Sequence, residues 1–276
     1  MRGLLFWSLV FMLFTSCGGS SDQDRNTEKG DAMPKSTVVG EEFSYPSDSV
    51  DMVGYFAYDS SKTEPQPGIL IVHEWWGHND YVRKRAHMLA ELGYTAFALD
   101  MYGEGKQAQH PTDAGKFSKM VMSNTELAKS RFEAAVKTLQ NHPRTDTSKL
   151  AAIGYCFGGS VVLSMANAGY DLDAVAAFHS GVQLPVPPSE DLKARVLVAN
   201  GADDKFIPEE SVASFKAAMD SVGADYEYIS YEGVVHSYTN PMAQSMAQKF
   251  DMPIAYDARA DSLAWLELKE LLQAEL

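Results

Sequence analysis

The chain has 276 residues, 45% hydrophobic and 11% aromatic, enough apolar material for one core of about 240 residues rather than two small ones. Its formal net charge is −14, and the four basic and four acidic residues of Met1–Thr37 cancel, so the whole excess lies in Val38–Leu276. An acidic domain without a basic stripe argues against nucleic acid as a partner, and against docking to anionic lipid headgroups through its folded surface.

Met1–Cys17 carries one positive charge ahead of an apolar run from Leu4 to Phe14, which is too short for an ordinary membrane span. Small residues then lead into Cys17, the layout of a signal peptide. Phe14-Thr15-Ser16-Cys17 resembles the lipobox of bacterial lipoproteins, with Phe14 where leucine is usual. That resemblance implies lipidation at Cys17 and an exported, membrane-anchored lipoprotein in the periplasm or on the outer-membrane face. Plain secretion and an uncleaved anchor are the alternatives. Residues 18–37 hold almost nothing apolar and are expected to form a flexible tether, so the only membrane contact would be the N-terminal lipid. With Cys17 so used, Cys156 has no partner within the chain and stays a free thiol in an oxidising compartment, which favours a use for it.

In chain order, Glu42–Tyr45 and Met52–Tyr58 read as an opening strand pair, and Gly68–Val72 as a strand buried on both faces. Tyr81–Leu92 has helical spacing with Gly93 as its stop. Thr95–Leu99 is the next strand, and Ala114–Gln140 a long, mainly helical stretch. Leu150–Tyr155 is a strand that runs into a helix over Gly159–Ala168. Ala174–Phe178, Val196–Asn200 and Tyr226–Tyr231 are further strands, with helices over Pro208–Val222 and Tyr256–Gln273. Strands alternating with helices predict an α/β domain over residues 38–276, a mostly parallel twisted sheet with helices on both faces. Sites in such sheets lie outside the carboxyl ends of the strands.

Four strand ends carry candidate chemistry. Gly154-Tyr155-Cys156-Phe157-Gly158-Gly159 places Cys156 at a strand-to-helix turn, flanked by glycines that let two backbones pass and next to a helix N-terminus that favours negative charge. The alternative for Cys156 is a buried core thiol in a glycine-rich turn. His73-Glu74-Trp75-Trp76-Gly77-His78 follows the strand at Gly68–Val72. Its histidines are five apart, which does not match the two-histidine zinc spacing, and no cluster suggests a metal or other cofactor. Asp203-Asp204 and His236 follow the two later strands. The order nucleophile, acid, histidine is that of α/β-hydrolase triads.

Combined with Asp100-Met101-Tyr102-Gly103, the frame Gly201-x-x-Asp204-x-x-Ile207-Pro208, His236-Ser237-Tyr238-Thr239-Asn240-Pro241 and a closing Tyr256-Asp257-Ala258 helix, the pattern resembles the dienelactone hydrolase family of the α/β-hydrolase superfamily, from about Glu42 to the C-terminus. The resemblance implies a carboxylic ester hydrolase similar to carboxymethylenebutenolidase, needing no cofactor and acting on small-molecule esters or lactones. It puts the nucleophile on Cys156, the base on His236 and the acid on Asp204, with Glu74 helping to ionise the thiol. The thiolate would form a thioacyl-enzyme, and His236 would protonate the leaving oxygen and then activate water. The oxyanion would take the backbone N–H groups of Phe157 and Trp75.

One stretch departs from the family. Members acting on dienelactones hold the substrate carboxylate with an arginine just after the Asp-x-Tyr segment, where this chain has Glu104, with Lys106 as the only compensating cation. The expectation is therefore a general ester, lactone or thioester hydrolase with an apolar pocket drawing on Trp75, Trp76, Tyr102, Lys106 and Phe206. An acyltransferase on the same intermediate and a non-catalytic binding lipoprotein are the other classes. The sequence leaves the oligomeric state open.

Overall fold

Uninterrupted apolar runs such as Ile69–Val72 and Ala151–Ile153 leave a strand no wet face, so they belong inside a sheet covered on both sides. The computed structural model, which describes residues 37–276, shows that sheet; Cys17 and nearly all of the expected tether lie outside the described residues. Eight strands run β1 (Val38–Ser47), β2 (Val50–Asp59), β3 (Gln66–Val72), β4 (Thr95–Leu99), β5 (Thr145–Tyr155), β6 (Ala174–Phe178), β7 (Arg195–Gly201) and β8 (Tyr226–Tyr231). Their order across the sheet is β1-β2-β4-β3-β5-β6-β7-β8. β1 and β2 form an antiparallel hairpin and β2 meets β4 antiparallel, while every other pairing is parallel.

Alternation along the strands divides the core in two. Leu70, Val72, Phe97 and Ala152 face α3 (Thr125–Gln140), α4 (Phe157–Asn167) and α5 (Glu209–Ser221), through residues such as Phe132, Val162 and Phe215. Ile69, Ile71, Ala98 and Ile153 face α1 (Asp80–Glu91) and α7 (Ala258–Glu275), through Val82, Leu89 and Leu268. Each fully buried side chain of this size contributes about 1.5–3 kcal/mol relative to exposure. The fold is that of an α/β hydrolase, as the sequence predicts.

β1 and β5 start earlier than the pattern predicts, at Val38 and Thr145, and three helical features also differ. Ala114–Gln140 is two helices, α2 (Pro111–Met122) and α3, because Asn124 turns its side chain back to accept the Leu127 N–H at 3.1 Å and caps a new start. α4 begins at Phe157, immediately after the thiol rather than at Gly159. A helix the pattern missed, α6 (Ala243–Phe250), buries only Ala243. Its signal is the stacking of Phe250 on Trp76, a contact that local sequence does not contain.

The chain starts its parallel sheet at β3, builds outward to β4, then crosses to β5 on the other side. This reversal opens a crevice at the carboxyl ends of β3 and β5. Cys156 and the turn at His73–Gly77 flank it.

Candidate active site

Cys156 adopts φ 55° and ψ −117°, a left-handed conformation that costs a non-glycine residue energy and is held only where its surroundings over-determine it. The surroundings do so. Its N–H donates to Phe178 O at 2.9 Å, fixing the turn to β6, and its carbonyl accepts from Gly159 N at 3.1 Å. A Cβ on Gly154 would come within 2.2 Å of Gly158 O, and one on Gly158 within 2.3 Å of Val72 O. These two glycines are therefore required by the close crossing of strand and helix. Phe157 is the first residue of α4, so its N–H has no intrahelical partner and points out of the helix start.

Asp204 and His236 meet through an equally close approach. A Cβ on Gly201 would strike Val234 O at 2.2 Å, so the end of β7 lies against the loop that leads into His236. His236 Nδ1–H donates to Asp204 Oδ2 at 2.6 Å, and Asp204 Oδ1 accepts from Phe206 N at 2.9 Å. Asp204 is buried and Asp203 exposed, so burial separates the two neighbours as the sequence frame does. Burial alone would hold His236 below its usual value. Electrostatic interaction with Cys156, hydrogen bonds with Asp204 and Cys156, and the charge of Asp204 outweigh burial and lift it to about 10.

The turn after β3 is fixed from behind. His73 is fully buried, bonded through Nδ1 to Glu74 O at 2.6 Å and accepting Met101 N–H at Nε2. Tyr102 OH donates to Trp75 O at 3.0 Å. Glu74 is buried, and its Oε2 accepts from Asn240 Nδ2 at 2.6 Å. Burial raises its carboxyl to about 7, against the opposing pull of Asn240, His236, Arg85 and Ser237.

A cavity of about 240 Å³ opens beside Cys156. Trp75, Phe157, Phe206 and His236 line it, with Met122 from α2 and Met252 and Ile254 from the segment after α6. Its remaining polar walls are Ser118, Ser160, Ser237 and the Gly181 backbone, and no lysine, arginine, aspartate or glutamate lines it. Of the residues assigned to the pocket from sequence, Trp75 and Phe206 are on its wall and Trp76, Tyr102 and Lys106 are not. Trp76 is buried in a separate cluster with Ala108 and Ala114, and Tyr102 supports the Trp75 carbonyl from outside the cavity. Lys106 is half exposed and pairs with Glu104 at 2.7 Å. Among the described residues, no group of three His, Cys, Asp or Glu side chains is arranged to hold a metal.

The sequence profile of the dienelactone hydrolase family matches residues 52–276. The chain belongs to this family. It is 30% identical to a crystal structure of a dienelactone hydrolase-like promiscuous phosphotriesterase from metagenomic libraries, with a TM-score of 0.81 over 87% of this chain and 99% of the other. It is 28% identical over 207 residues to Protein usf of Aquifex pyrophilus, covering 73% of this chain and 88% of that protein. A protein of Aquifex aeolicus provisionally named as a carboxymethylenebutenolidase is 25% identical over 232 residues, covering 82% and 95%. The chain is thus a dienelactone hydrolase-like hydrolase.

Within that family frame, the site depends on residues the sequence did not mark. Asn240 holds Glu74, and the two methionine walls come from α2 and from a segment 96 residues past Cys156 by number. The one available signal was Asn240 itself, inside the His236–Pro241 motif and without an assigned role.

Proposed function

We propose that this protein hydrolyses ester or lactone bonds of small, uncharged acyl compounds through Cys156, His236 and Asp204. The reading is carried by the 2.6 Å bond between His236 and Asp204 beside a cysteine in the strained elbow conformation. In the resting site, His236 raised to about 10 is an imidazolium beside Cys156, and the reacting form of the cysteine is its thiolate. The thiolate attacks the acyl carbon, and the developing oxyanion is taken by the N–H groups of Phe157 and Trp75. The intermediate collapses to a thioacyl-enzyme while His236 gives its proton to the leaving alkoxide. Neutral His236 then takes a proton from water, hydroxide attacks the thioester, and the departing thiolate restores the ion pair as the acid leaves. Asp204 keeps the imidazole ring oriented throughout and stabilises its charged form. Glu74, close enough to His236 to interact with its charge, is assigned to thiol ionisation.

The substrate is read from the walls. An ester carrying a distal carboxylate would find no lysine or arginine in the cavity, only His236, which already faces Cys156 and Asp204, and would lose hydration without replacement. The relative named as a promiscuous phosphotriesterase adds uncharged phosphotriesters to the compounds worth testing. Export with a lipid on Cys17 is part of the same proposal, and labelled palmitate incorporation that survives Cys17→Ser would refute it.

The deciding experiment is a panel of chromogenic esters, lactones, thioesters and one neutral aryl phosphotriester, run on the wild type, on protein alkylated with iodoacetamide, and on Cys156→Ala. We expect turnover of uncharged esters or lactones that falls by several orders of magnitude in the last two. Turnover indifferent to Cys156→Ala, or no turnover of any substrate, overturns the proposal.

A further inference from the structure

Behind His236 lies a buried polar cluster that the triad chemistry does not use. Its centre is Thr239, three residues past His236 and 1% exposed. The Thr239 carbonyl accepts from Arg85 Nη2 at 2.7 Å. Its hydroxyl shares hydrogen bonds with Tyr81 OH at 2.6 Å and with His179 Nε2 at 2.7 Å. These contacts reach it from α1 and from the end of β6, across more than fifty residues of sequence in every case.

Arg85 is itself buried. Besides Thr239, its Nη2 donates to Asp261 Oδ1 on α7 at 2.6 Å, and its Nε donates to Tyr81 OH at 3.3 Å. The guanidinium lies against the rings of Tyr81 and Tyr155, each 5.3 Å away, and of Trp265 at 5.7 Å. Tyr155 is the residue immediately before Cys156. One cation therefore touches both the strand end that carries the thiol and the loop that carries the imidazole.

That loop needs outside support. Residues 236–240 belong to no helix or strand, His236 pairing only in an isolated bridge to Ile254, and Ser237 has φ 60°. Stability alone is a weak reason for a buried cation here, because replacing a buried ion pair with apolar side chains is often neutral or stabilising. An apolar side chain could not, however, donate a directed N–H to the Thr239 carbonyl.

We propose that Arg85 and Thr239 form a clamp that sets the position of His236 relative to Cys156, with Arg85 a positioning residue that does not line the substrate cavity. Two paths transmit the constraint. One runs along the backbone from Thr239 to His236. The other runs through His179, held by the Thr239 hydroxyl, whose ring meets the His236 ring edge-on at 5.1 Å. The charged and titratable groups around His236 are Cys156, Asp204, Glu74 and His179, and Arg85 acts on Glu74 and His179 from behind. The inference rests on the reading of Cys156, His236 and Asp204 as the reacting centre.

The test compares Arg85→Lys and Thr239→Val with the wild type. Lysine keeps the charge but not the planar guanidinium, whose Nη2 serves Thr239 and Asp261 while its Nε reaches Tyr81 and its face lies on Tyr81 and Tyr155, and valine keeps the volume of Thr239 without its hydroxyl. Misplacement of an acid–base group by a fraction of an ångström should lower kcat about 10- to 100-fold while KM stays within about threefold. The pH of half-maximal Cys156 alkylation should move upward, and the far-downfield proton resonance of the His236–Asp204 bond should weaken. Folded variants that keep the wild-type kcat, alkylation profile and resonance overturn the clamp. So does a loss of kcat that merely tracks the folded fraction while alkylation and resonance stay unchanged. If Arg85→Lys does not fold, Arg85→Gln decides the path through the Thr239 carbonyl and Thr239→Val the path through His179, by the same three readouts. If the wild type turns over no ester, the hydrolase reading fails, and alkylation and resonance still decide the clamp.

Discussion

Glu74 holds a carboxyl group in the interior at the end of β3, where Asn240 donates to it at 2.6 Å and Ser237 also interacts with it. Burial lifts it from 4.5 to about 7, a displacement corresponding to roughly 3 kcal/mol. The sign follows from proton binding. Between those two values the folded state holds a proton that the unfolded state has released, so stability falls as pH rises through the interval. A glutamine accepts from Asn240 as well but has no charge to desolvate. Glu74→Gln is therefore expected to match the wild type in urea unfolding near pH 4 and to gain on it steadily, by about 2–3 kcal/mol, up to pH 8. Its esterase rate should fall over the same range. A stability difference that stays flat with pH would show that burial does not govern this carboxyl. The energy stored in Glu74 is thus a cost to the fold that the site retains, in keeping with the concentration of perturbed groups at reacting centres.

At the scale of elements, the site joins a rigid half to a half built from packing accidents. The rigid half was legible because each of its parts is local: Gly154 and Gly158 around Cys156, an apolar strand ahead of Glu74, and a strand ahead of Asp204. The other half was not. The cavity wall is made by Met122 at the end of α2 and by Met252 and Ile254 beyond α6, none of which differs by local pattern from an ordinary surface or core residue. The same holds for Arg85 and Thr239, whose roles exist only once α1 and the His236 loop meet. Cys156, Asp204 and His236 were readable as candidates because backbone geometry demands particular residues there, and the cavity wall beyond Trp75 and Phe206 was not because many apolar residues fill a wall equally well. This has a consequence for specificity. Methionine is flexible and tolerates exchange, so Met122→Ala or Met252→Ala should leave the reacting centre intact and lengthen the cavity. On an ester series of increasing acyl length, the optimum should move by about two methylenes toward longer chains, each buried methylene being worth about 0.8 kcal/mol. An unmoved optimum with uniformly lower rates would show that these side chains hold the fold rather than measure the acyl group.

Over the whole molecule, charge and cavity act in the same direction. The described domain carries all of the net −14, and the cavity it encloses has no cationic wall beyond His236 itself. Lys106, the cation the sequence offers for a substrate carboxylate, is bound to Glu104 on the surface, where an exposed pair contributes little to stability but does neutralise the charge. An anionic ester is therefore opposed twice, by the long-range field as it approaches and by uncompensated desolvation as it enters. The two effects separate by salt. Field repulsion is screened beyond about 10 Å at 0.1 M salt, whereas desolvation inside the cavity is not. For a matched pair of esters differing only in a distal carboxylate, the neutral member should have the higher kcat/KM at every ionic strength. Raising salt from about 10 mM to about 500 mM should speed only the anionic member and narrow the gap without closing it. A gap that closes completely would assign the selectivity to the surface field alone. An anionic ester that is preferred at low salt would mean that a cation reaches the acyl group after all, with Lys106 released from Glu104 the first candidate.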